Sequence, residues 1–509
     1  MSLGVEANLY RAYAERFPAD PAAEFLVTPA GQRITYGDLE RESARLATFL
    51  SGLGLQPGER ITVQCEKSPN VIFLYLACLR AGLVFHPLNP GYTASEVDYF
   101  IGDASPAACV FDPRFEANLT PLLKRHGVEH AYTLAADGTG SLTVASAASD
   151  STFATVPRAP DDLAALLYSS GTTGKPKGIM LTQQNLATNA RALTSAWGFT
   201  SADCLLHVLP IFHVHGLFIA LGCALMSGSR MLFAARFEAE ETLALLPKAT
   251  VMMGVPTYYT RLLASPGLSG EACRGIRLFT CGSAPLLADT WHAFEARTGH
   301  AILERYGMTE TSVITTNPLH DARKPGKVGP ALPGVEVRIV DLDGAEVSRG
   351  SIGHVEVRSA SVFRGYWRLP EKTAQDFTGD GFFRTGDDGV LDDENYLSLI
   401  GRAKDLIITG GLNVYPSEVE QVLDECAGVL ESAVIGFPHA DFGEQVAAVV
   451  VLRAGADWDE VALRAAMREK LAAFKCPKQY RVVPELPRNA MGKVQKAMLR
   501  AQEAQDAKA

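Results

Sequence analysis

The sequence has no C-x-x-C motif, no long apolar run and no excess of positive charge. Its nine cysteines are odd in number and scattered, which disfavours a disulfide framework or a zinc site and predicts reduced thiols in a cytoplasmic protein. The apolar stretches 71–79 and 216–229 are too short for membrane insertion, and residues 1–18 do not have the pattern of a secretory signal. A net charge of −10 disfavours a nucleic-acid partner.

The composition is that of a folded globular chain, with 509 residues, 47% hydrophobic and 20% charged. Short β-rich runs alternate with helical runs over most of the length, which predicts α/β layers with partly parallel sheets. Residues 335–340 and 354–358 alternate apolar and polar, which predicts antiparallel pairing. After Gly401 the pattern changes. We therefore predict a large, multi-subdomain N-terminal α/β domain, residues 1–403, and a small α+β C-terminal domain, residues 404–509.

Residues 168–178 (YSSGTTGKPKG) form the strongest local motif. They follow an apolar run and precede a helical stretch. Glycines and small residues let backbone N–H groups converge on an anion, hydroxyls add donors, and Lys175 and Lys177 add positive charge. The motif is not a Walker A loop, because G-x-x-x-x-G-K-[ST] does not occur. By composition alone, a phosphate loop and a flexible turn are equally good interpretations.

This loop resembles the phosphate loop of the acyl-adenylate-forming enzymes, which include acyl-CoA synthetases, luciferases and peptide-synthetase adenylation domains. Four further motifs of that superfamily follow in order, namely ERYGMTET (304–311), RTGD (384–387), GRAKD (401–405) and PRNAMGK (487–493). The resemblance implies that the protein uses ATP, Mg²⁺ and coenzyme A. It also implies a C-terminal domain that rotates on a hinge at Lys404 between two half-reactions.

The resemblance implies a set of nucleotide-binding residues. Read singly, most of them would be ordinary turn, cap or surface residues. Glu310 is implied as the Mg²⁺ carboxylate, since Mg²⁺ prefers oxygen ligands together with phosphates. Asp387 and Arg402 are implied as ribose contacts, with Asp388 left at the surface. The other implied ATP-binding residues are Ser169, Ser170, Gly171, Thr172, Thr173, Gly174, Lys177, Gly282, Ser283, Ala284, Pro285, Glu304, Tyr306, Gly307, Met308, Thr309 and Lys493.

The same resemblance implies which residues catalyse the reaction and which bind the thiol of coenzyme A. Lys493 is implied to drive adenylation by offsetting charge at the α-phosphate, together with Thr309 and Glu310. His213, in the segment LPIFHVHGL, is implied to close the site, whereas His215 is interpreted as a core histidine. Coenzyme A is assigned to Gly410, Gly411 and Lys475, with simple surface solvation as the alternative for the lysine.

The prediction of which acid is activated depends on a basic residue, Arg261. Arg261 lies in the segment GVPTYYTRLL, which relatives that activate fatty acids keep apolar. A buried arginine would require an anionic partner, so Arg261 and His213 are predicted to contact substrate carboxylates; an outward-facing Arg261 is the alternative. The segments PIFHVHGL, GVPTYYTRLL, GSAPLLADT and GFPHADFGE resemble those of malonyl-CoA synthetases, which predicts malonate as the acid, with methylmalonate tolerated.

Other functions stay open at the level of sequence. Within the ligases, the alternative is an enzyme for short or medium fatty acids or aryl acids. A free-standing carrier-loading adenylation enzyme is a further alternative and would need a partner chain. An inactive homologue is disfavoured because Lys493 and Glu310 are both intact. The sequence does not determine the oligomeric state.

Overall fold

The computed structural model describes residues 7–169, 176–402, 405–409, 412–439, 442–489 and 492–506. The chain folds into two compact units. The first comprises Met1–Glu336 and Arg358–Phe377, and the second comprises Val337–Val357 and Thr378–Ala509. The second unit therefore includes segments that the sequence assigned to the N-terminal domain. The boundary predicted between residues 403 and 404 lies outside the described residues and stays a prediction.

The first part of the chain alternates strands with helices, as the sequence predicts. Its strands are β1 (Glu24–Val27), β2 (Arg33–Thr35), β3 (Arg60–Gln64), β4 (Val84–Pro87), β5 (Ala108–Phe111), β6 (His130–Thr133), β7 (Leu163–Ser169), β8 (Lys177–Thr182), β9 (Cys204–His207), β10 (Arg230–Phe233), β11 (Val251–Gly254), β12 (Leu278–Cys281), β13 (Leu303–Met308) and β14 (Ser312–Thr316). Its helices are α1 (Leu9–Ala14), α2 (Tyr36–Gly52), α3 (Pro69–Ala81), α4 (Ala94–Ala104), α5 (Glu116–Arg125), α6 (Ser141–Ser146), α7 (Gln183–Ala196), α8 (Leu221–Ser227), α9 (Ala239–Leu245), α10 (Pro256–Ala264) and α11 (Ala288–Thr298), with a π-helical turn at His215–Ala220 and 3₁₀ turns at Pro113–Phe115 and Leu246–Lys248.

The remaining strands are β15 (Val335–Val340), β16 (Gly353–Ser359), β17 (Gly365–Tyr366), β18 (Phe383–Leu391), β19 (Leu397–Arg402), β20 (Ile407–Thr409), β21 (Leu412–Val414), β22 (Val429–His439), β23 (Gly443–Leu452) and β24 (Gln479–Val482). The remaining helices are α12 (Pro370–Asp376), α13 (Pro416–Asp424), α14 (Glu460–Lys470) and α15 (Lys496–Asp506).

Two mixed sheets build the first unit. One has the order β17-β8-β7-β4-β3-β5-β6, in which β3 to β7 run parallel to one another and β8 pairs antiparallel with both β7 and β17. The other has the order β14-β13-β12-β11-β9-β10-β1-β2, in which the strands from β13 to β1 run parallel and both edge strands are antiparallel. The predicted partly parallel α/β layers are thus confirmed.

Burial of the parallel strands determines where polar side chains can lie. Strands β9, β11 and β12 are buried along their whole lengths, as expected when both faces of a parallel sheet are covered. In open α/β sheets, ligands bind outside the carboxyl ends of the strands. The segments that follow these strands are therefore where we expect the functional side chains.

Local sequence positions the helix that follows the phosphate-loop motif. Strands β7 and β8 form an antiparallel hairpin in which Ser169 is opposite Lys177. Helix α7 begins immediately after β8, because the Thr182 hydroxyl accepts from Asn185 N and the Asn185 side chain accepts from Thr182 N. This reciprocal cap satisfies donors that the first helical turn leaves unpaired.

Two smaller sheets build the second unit. Strands β15, β16, β18 and β19 form one sheet in that order, with antiparallel β16–β18 and β18–β19 pairs. The other has the order β21-β20-β23-β22, with β24 pairing parallel to β23. Helices α13 and α14 cover this second sheet through a core that includes Val419, Leu423, Leu463 and Met467. The small α+β part predicted after Gly401 is confirmed.

Candidate active site

The predicted phosphate loop connects two paired strands of the first unit. Strands β7 and β8 hold its ends, so Ser169 and Lys177 are fixed opposite each other. The predicted ATP-binding residues between them lie outside the described residues: Ser170, Gly171, Thr172, Thr173 and Gly174. The structure therefore describes only the two ends of this loop, and the phosphate-binding role stays a prediction.

Lys177 and Glu310 converge on one tyrosine. The Lys177 ammonium lies 4.3 Å from the centre of the Tyr366 ring, a distance at which the cation is attracted to the ring face. Burial raises the pKa of Tyr366, and the neighbouring Glu310 carboxylate raises it further. The turn that carries Glu310 is held by the Phe363 N–H, which donates to the Glu310 backbone oxygen at 2.7 Å. The phosphate-loop lysine and the predicted metal carboxylate are thus brought together.

A magnesium ion beside Glu310 would have few protein ligands. Among the residues that the structure describes, no three His, Cys, Asp or Glu side chains cluster as metal ligands. One buried carboxylate fits Mg²⁺, which is commonly held by one or two carboxylates together with substrate phosphates.

Strands β12 and β13 bring two predicted nucleotide segments to one edge of the sheet. They run parallel, with Cys281 opposite Glu304. Residues 282–285 therefore follow β12, and residues 304–309 form most of the neighbouring strand β13 and the start of the turn after it. The Glu304 carboxylate accepts a hydrogen bond from Gly326 N at 2.9 Å, and burial raises its pKa to about 7. Tyr306 is buried on the same strand, and Thr309 is partly buried in the turn after it.

His213 and His215 lie at the start of the π-helical turn. The His215 N–H donates to His213 Nδ1 at 3.3 Å, and His215 Nδ1 lies 3.2 Å from Ser283 Oγ. Burial, assisted by the charge of Arg305, lowers the pKa of His213 to about 4, so this ring is neutral at neutral pH. The predicted acyl-site histidine, His213, is thus connected to the predicted adenine segment through His215, which is buried as predicted. A π-helical turn is often found at functional sites.

Arg261, the arginine that the sequence analysis assigned to the acid, lies on the surface of helix α10. Arg261 is exposed, so the expectation that it lies in a buried pocket is wrong. Helix α10 buries Tyr259 and Leu262, and a residue two positions after Tyr259 lies about 200° around the helix from it. The role of Arg261 in binding the acid stays an untested prediction.

The sequence analysis missed Arg305, which lies on β13 between Glu304 and Tyr306. Its side chain is buried, and its guanidinium packs directly against Gly282, where a Cβ atom would lie 2.5 Å from Cζ. The available signal in the sequence was a cation two residues after the apolar pair Ile302 and Leu303. It was hidden because Arg305 stands inside a motif whose other residues already had roles.

In the second unit, the structure brings together the two predicted ribose contacts. Asp387 on β18 is opposite Arg402 on β19, and Arg402 Nε lies 2.9 Å from Asp387 Oδ1. Asp388 is only 2% exposed and lies 2.6 Å from His354 Nδ1, so its predicted surface position is wrong. The reason is that β18 is an internal strand, covered on both edges by β16 and β19.

Lys493 lies in a closed turn near the end of the chain. Asn489 N donates to Lys493 O at 3.0 Å, Gly492 N donates to Asn489 O at 2.8 Å, and Lys493 N donates to the Asn489 side chain at 3.0 Å. The turn leaves the Lys493 side chain exposed. Its catalytic role stays a prediction.

The predicted coenzyme A residues are only partly described. Lys475 forms an ion pair with Glu418, with 2.6 Å between Nζ and Oε1. Gly410 and Gly411, and the predicted hinge residue Lys404, lie outside the described residues. Within the described part of the chain, no helix is long and apolar enough to cross a membrane.

Comparison with known proteins identifies the class. Residues 10–367 match the AMP-binding enzyme family, and residues 418–493 match the AMP-binding enzyme C-terminal domain. The chain therefore belongs to the AMP-binding enzyme family.

Individual relatives narrow this class to CoA ligases. The chain is similar to the ATP-bound crystal structure of MatB from Rhodopseudomonas palustris, with 50% identity, 98% and 99% of the two chains covered and a TM-score of 0.96. It is 34% identical to the sulfoacetate–CoA ligase of Cupriavidus necator over 97% of each chain. It is 33% identical to the malonate–CoA ligase of Arabidopsis thaliana, covering 92% of this chain and 84% of the relative. The chain is an acid–thiol ligase, an ATP-dependent acyl-CoA ligase whose substrates are an acid, ATP and coenzyme A.

Proposed function

We propose that this ligase converts malonate to malonyl-CoA and tolerates methylmalonate. The observation that carries the proposal is the buried cation of Arg305, whose charge acts on the predicted acyl-site residue His213. A monocarboxylate would leave that cation without a counter-ion, and an unpaired buried charge is costly. The match to a malonate–CoA ligase over most of both chains supports the same acid.

The first half-reaction forms malonyl-AMP. A carboxylate oxygen of malonate attacks the α-phosphorus of ATP, and the bond to pyrophosphate breaks. In our proposal Lys493 and Lys177 offset the negative charge that builds up on the phosphates, and Thr309 contacts the α-phosphate. Tyr306 and residues 282–285 bind the adenine, and Asp387 and Arg402 bind the ribose. Bound Mg²⁺ would be held by Glu310 and would neutralise phosphate charge.

The second half-reaction forms the thioester. The sulfur of coenzyme A attacks the acyl carbon of malonyl-AMP, the bond to AMP breaks, and the thiol proton passes to solvent. We propose that the C-terminal domain rotates at Lys404 between the two steps, which withdraws Lys493 and presents Gly410 and Gly411 to the pantetheine arm. Lys475 is then a candidate contact of the coenzyme A phosphates.

A pyrophosphate-release assay over a panel of acids tests this function. The panel contains malonate, methylmalonate, sulfoacetate, succinate, acetate, butyrate and benzoate, each with and without coenzyme A. We expect malonate to have the highest kcat/KM, roughly a hundredfold or more above acetate, because a charge-assisted bidentate pair forms only with a second anion.

Three results would point elsewhere. If the enzyme uses butyrate or benzoate as well as malonate or better, its substrate is a monocarboxylic or aryl acid and the proposal of malonate is wrong. A preference for sulfoacetate would show that the second anionic group of the substrate is a sulfonate rather than a carboxylate. Sulfoacetate is the second candidate substrate because the chain is similar to a sulfoacetate–CoA ligase. Acyl-AMP formation without a thioester on free coenzyme A would indicate a carrier-loading enzyme.

A further inference from the structure

Lys67 connects the two sheets of the first unit at the edge where their parallel strands end. It follows the last residue of β3 by three positions, and its Nζ atom lies 2.9 Å from Nδ1 and 2.8 Å from the backbone oxygen of His207. His207 is the last residue of β9 in the other sheet and is 1% exposed. Ligands of open α/β sheets bind outside the carboxyl ends of the strands. The contact between Lys67 and His207 therefore lies where a ligand is expected.

The surroundings of Lys67 do not neutralise its amino group. Burial lowers the pKa of Lys67 well below its ordinary value. Besides His207, the amino group faces the ring of Phe233, whose centre lies 4.3 Å from Nζ. Within the part of the chain that the structure describes, no carboxylate forms an ion pair with it. Burying an amino group without a counter-ion costs free energy, and proteins accept such costs mainly at functional sites.

The hydrogen bonds of His207 have only one consistent set of directions. Burial, then the nearby Lys67, lowers the pKa of His207 well below its ordinary value, so the ring is neutral and carries one N–H. Its Nε2 atom lies 2.9 Å from the backbone oxygen of Gly216, which can only accept. The ring proton is therefore on Nε2, and Nδ1 accepts a hydrogen bond from Lys67. Lys67 thus selects the tautomer of His207 that donates to Gly216.

Gly216 belongs to the π-helical turn that carries the predicted acid-site histidine. The turn begins at His215, and the N–H of Leu217 donates to the backbone oxygen of His213 at 2.9 Å. The carbonyl that His207 holds thus lies between two residues whose positions depend on this turn. A hydrogen bond to that carbonyl fixes the backbone of both.

We propose that Lys67 is a positioning residue for the acid: by donating to His207 Nδ1 it maintains the hydrogen bond from His207 Nε2 to Gly216, and so holds the π-helical turn in the shape that binds the acid. This inference rests on the part of the proposed function that assigns His213 to the acid. It does not depend on which acid the enzyme prefers.

The first test measures KM for each substrate in the pyrophosphate-release assay, using the acid that the wild type uses best. Lys67→Met keeps a long side chain and removes the donor. We expect KM for the acid to rise roughly tenfold, as for one lost hydrogen bond, and KM for ATP to change by less than about twofold. A lysine that only stabilises the fold would lower the Tm and leave both KM values unchanged. Lys124→Met is the control, since Lys124 is exposed on α5, and it should match the wild type.

The second test changes His207 in two ways. The amide of glutamine reaches the position of Nε2 and can donate to Gly216, whereas that of asparagine reaches only the position of Nδ1. We expect His207→Gln to keep KM for the acid within about threefold of the wild type and His207→Asn to raise it roughly tenfold. Equal losses in the two variants would show that the hydrogen bond to Gly216 does not position the acid.

The double variant tests whether Lys67 acts through His207. The glutamine of His207→Gln donates to Gly216 without help from Lys67, so adding Lys67→Met should change KM for the acid by less than about twofold. If Lys67 attracted the acid by its own charge, Lys67→Met would cost the same in both backgrounds, and our inference would be overturned. If Lys67→Met alone does not fold, comparison of the double variant with His207→Gln measures the same dependence.

The results separate this inference from the proposed function. A wild type that prefers an acid other than malonate contradicts the proposed substrate and leaves the test of Lys67 intact, because KM is measured with the preferred acid. A wild type that prefers malonate, with equal rises in KM for ATP and for malonate in Lys67→Met, contradicts the role of Lys67 alone. A rise confined to the acid that His207→Gln suppresses supports the inference.

Discussion

Arg305 and Arg261 carry the same charge in different surroundings. Arg305 lies on a strand with neighbours on both sides, so its guanidinium is desolvated, whereas Arg261 faces solvent on helix α10. A desolvated charge interacts strongly with whatever lies beside it, whereas water screens an exposed one. At the scale of single residues, burial is therefore the reason why we propose Arg305 rather than Arg261 as the arginine that discriminates between acids.

Lys493 allows a test of the division of labour between the two half-reactions. Lys493→Ala is expected to slow acyl-AMP formation roughly a hundredfold or more, because a positive charge is lost from the transition state. Thioester formation from synthetic malonyl-AMP should be nearly unchanged. Pyrophosphate release and single-turnover thioester formation measure the two steps separately.

The control is a lysine from the same unit with no proposed role. Lys470 is exposed and pairs with Glu425 at 2.7 Å, so Lys470→Ala should leave both steps at wild-type rates. Equal losses in the two half-reactions of Lys493→Ala would contradict a lysine that serves adenylation alone.

At the scale of elements, the β13–β14 hairpin carries Thr309 and Glu310 in its turn. Its tightness depends on Gly307, because a Cβ atom there would lie 1.9 Å from the Ser312 backbone oxygen. A backbone atom cannot rotate away as a side chain can, so Gly307→Ala must distort the hairpin. We expect a loss of about 1–3 kcal/mol in the free energy of unfolding and a large loss of adenylation, since the turn would move.

Gly379→Ala is the matched control for the hairpin. A Cβ atom at Gly379 would meet nothing within 4 Å, so the free energy of unfolding and the activity should stay near wild type. Denaturant unfolding and pyrophosphate release are measured on both variants. Wild-type behaviour of Gly307→Ala in both assays would show that the hairpin adapts to a side chain.

At the scale of the whole molecule, the proposed mechanism requires a domain rotation at Lys404. Lys404→Pro fixes φ at this position and should hinder the rotation, so one half-reaction should be lost more than the other. If the protein rests in the adenylating orientation, adenylation survives better than thioester formation. The two steps are measured as for Lys493→Ala.

Lys404→Ala separates the backbone effect from loss of the side chain. It keeps φ free, so both half-reactions should remain close to wild type. Wild-type rates in both steps of Lys404→Pro would rule out residue 404 as the pivot. Equal losses in Lys404→Ala and Lys404→Pro would assign the effect to the lysine side chain.

The sequence by itself determined the class of chemistry and the alternation of elements. The motifs occur in a fixed order along the chain, and their resemblance to those of the acyl-adenylate-forming enzymes implied nucleotide and acid activation. Alternating β-rich and helical runs predicted the α/β layers, because apolar periodicity is a local property. Asp387 and Arg402 were assigned to one ribose site from their motifs, and the structure pairs them directly.

Only the tertiary structure decided which charges are buried. Asp388 is buried inside a sheet, although the family resemblance implied a surface position. Arg305 packs against Gly282 and His215 contacts Ser283, although these pairs lie far apart in sequence. Desolvation depends on the neighbours that other strands and helices supply, and no window of sequence contains them. The burial of Arg305, on which the proposed choice of acid depends, is therefore a property that the sequence could not reveal.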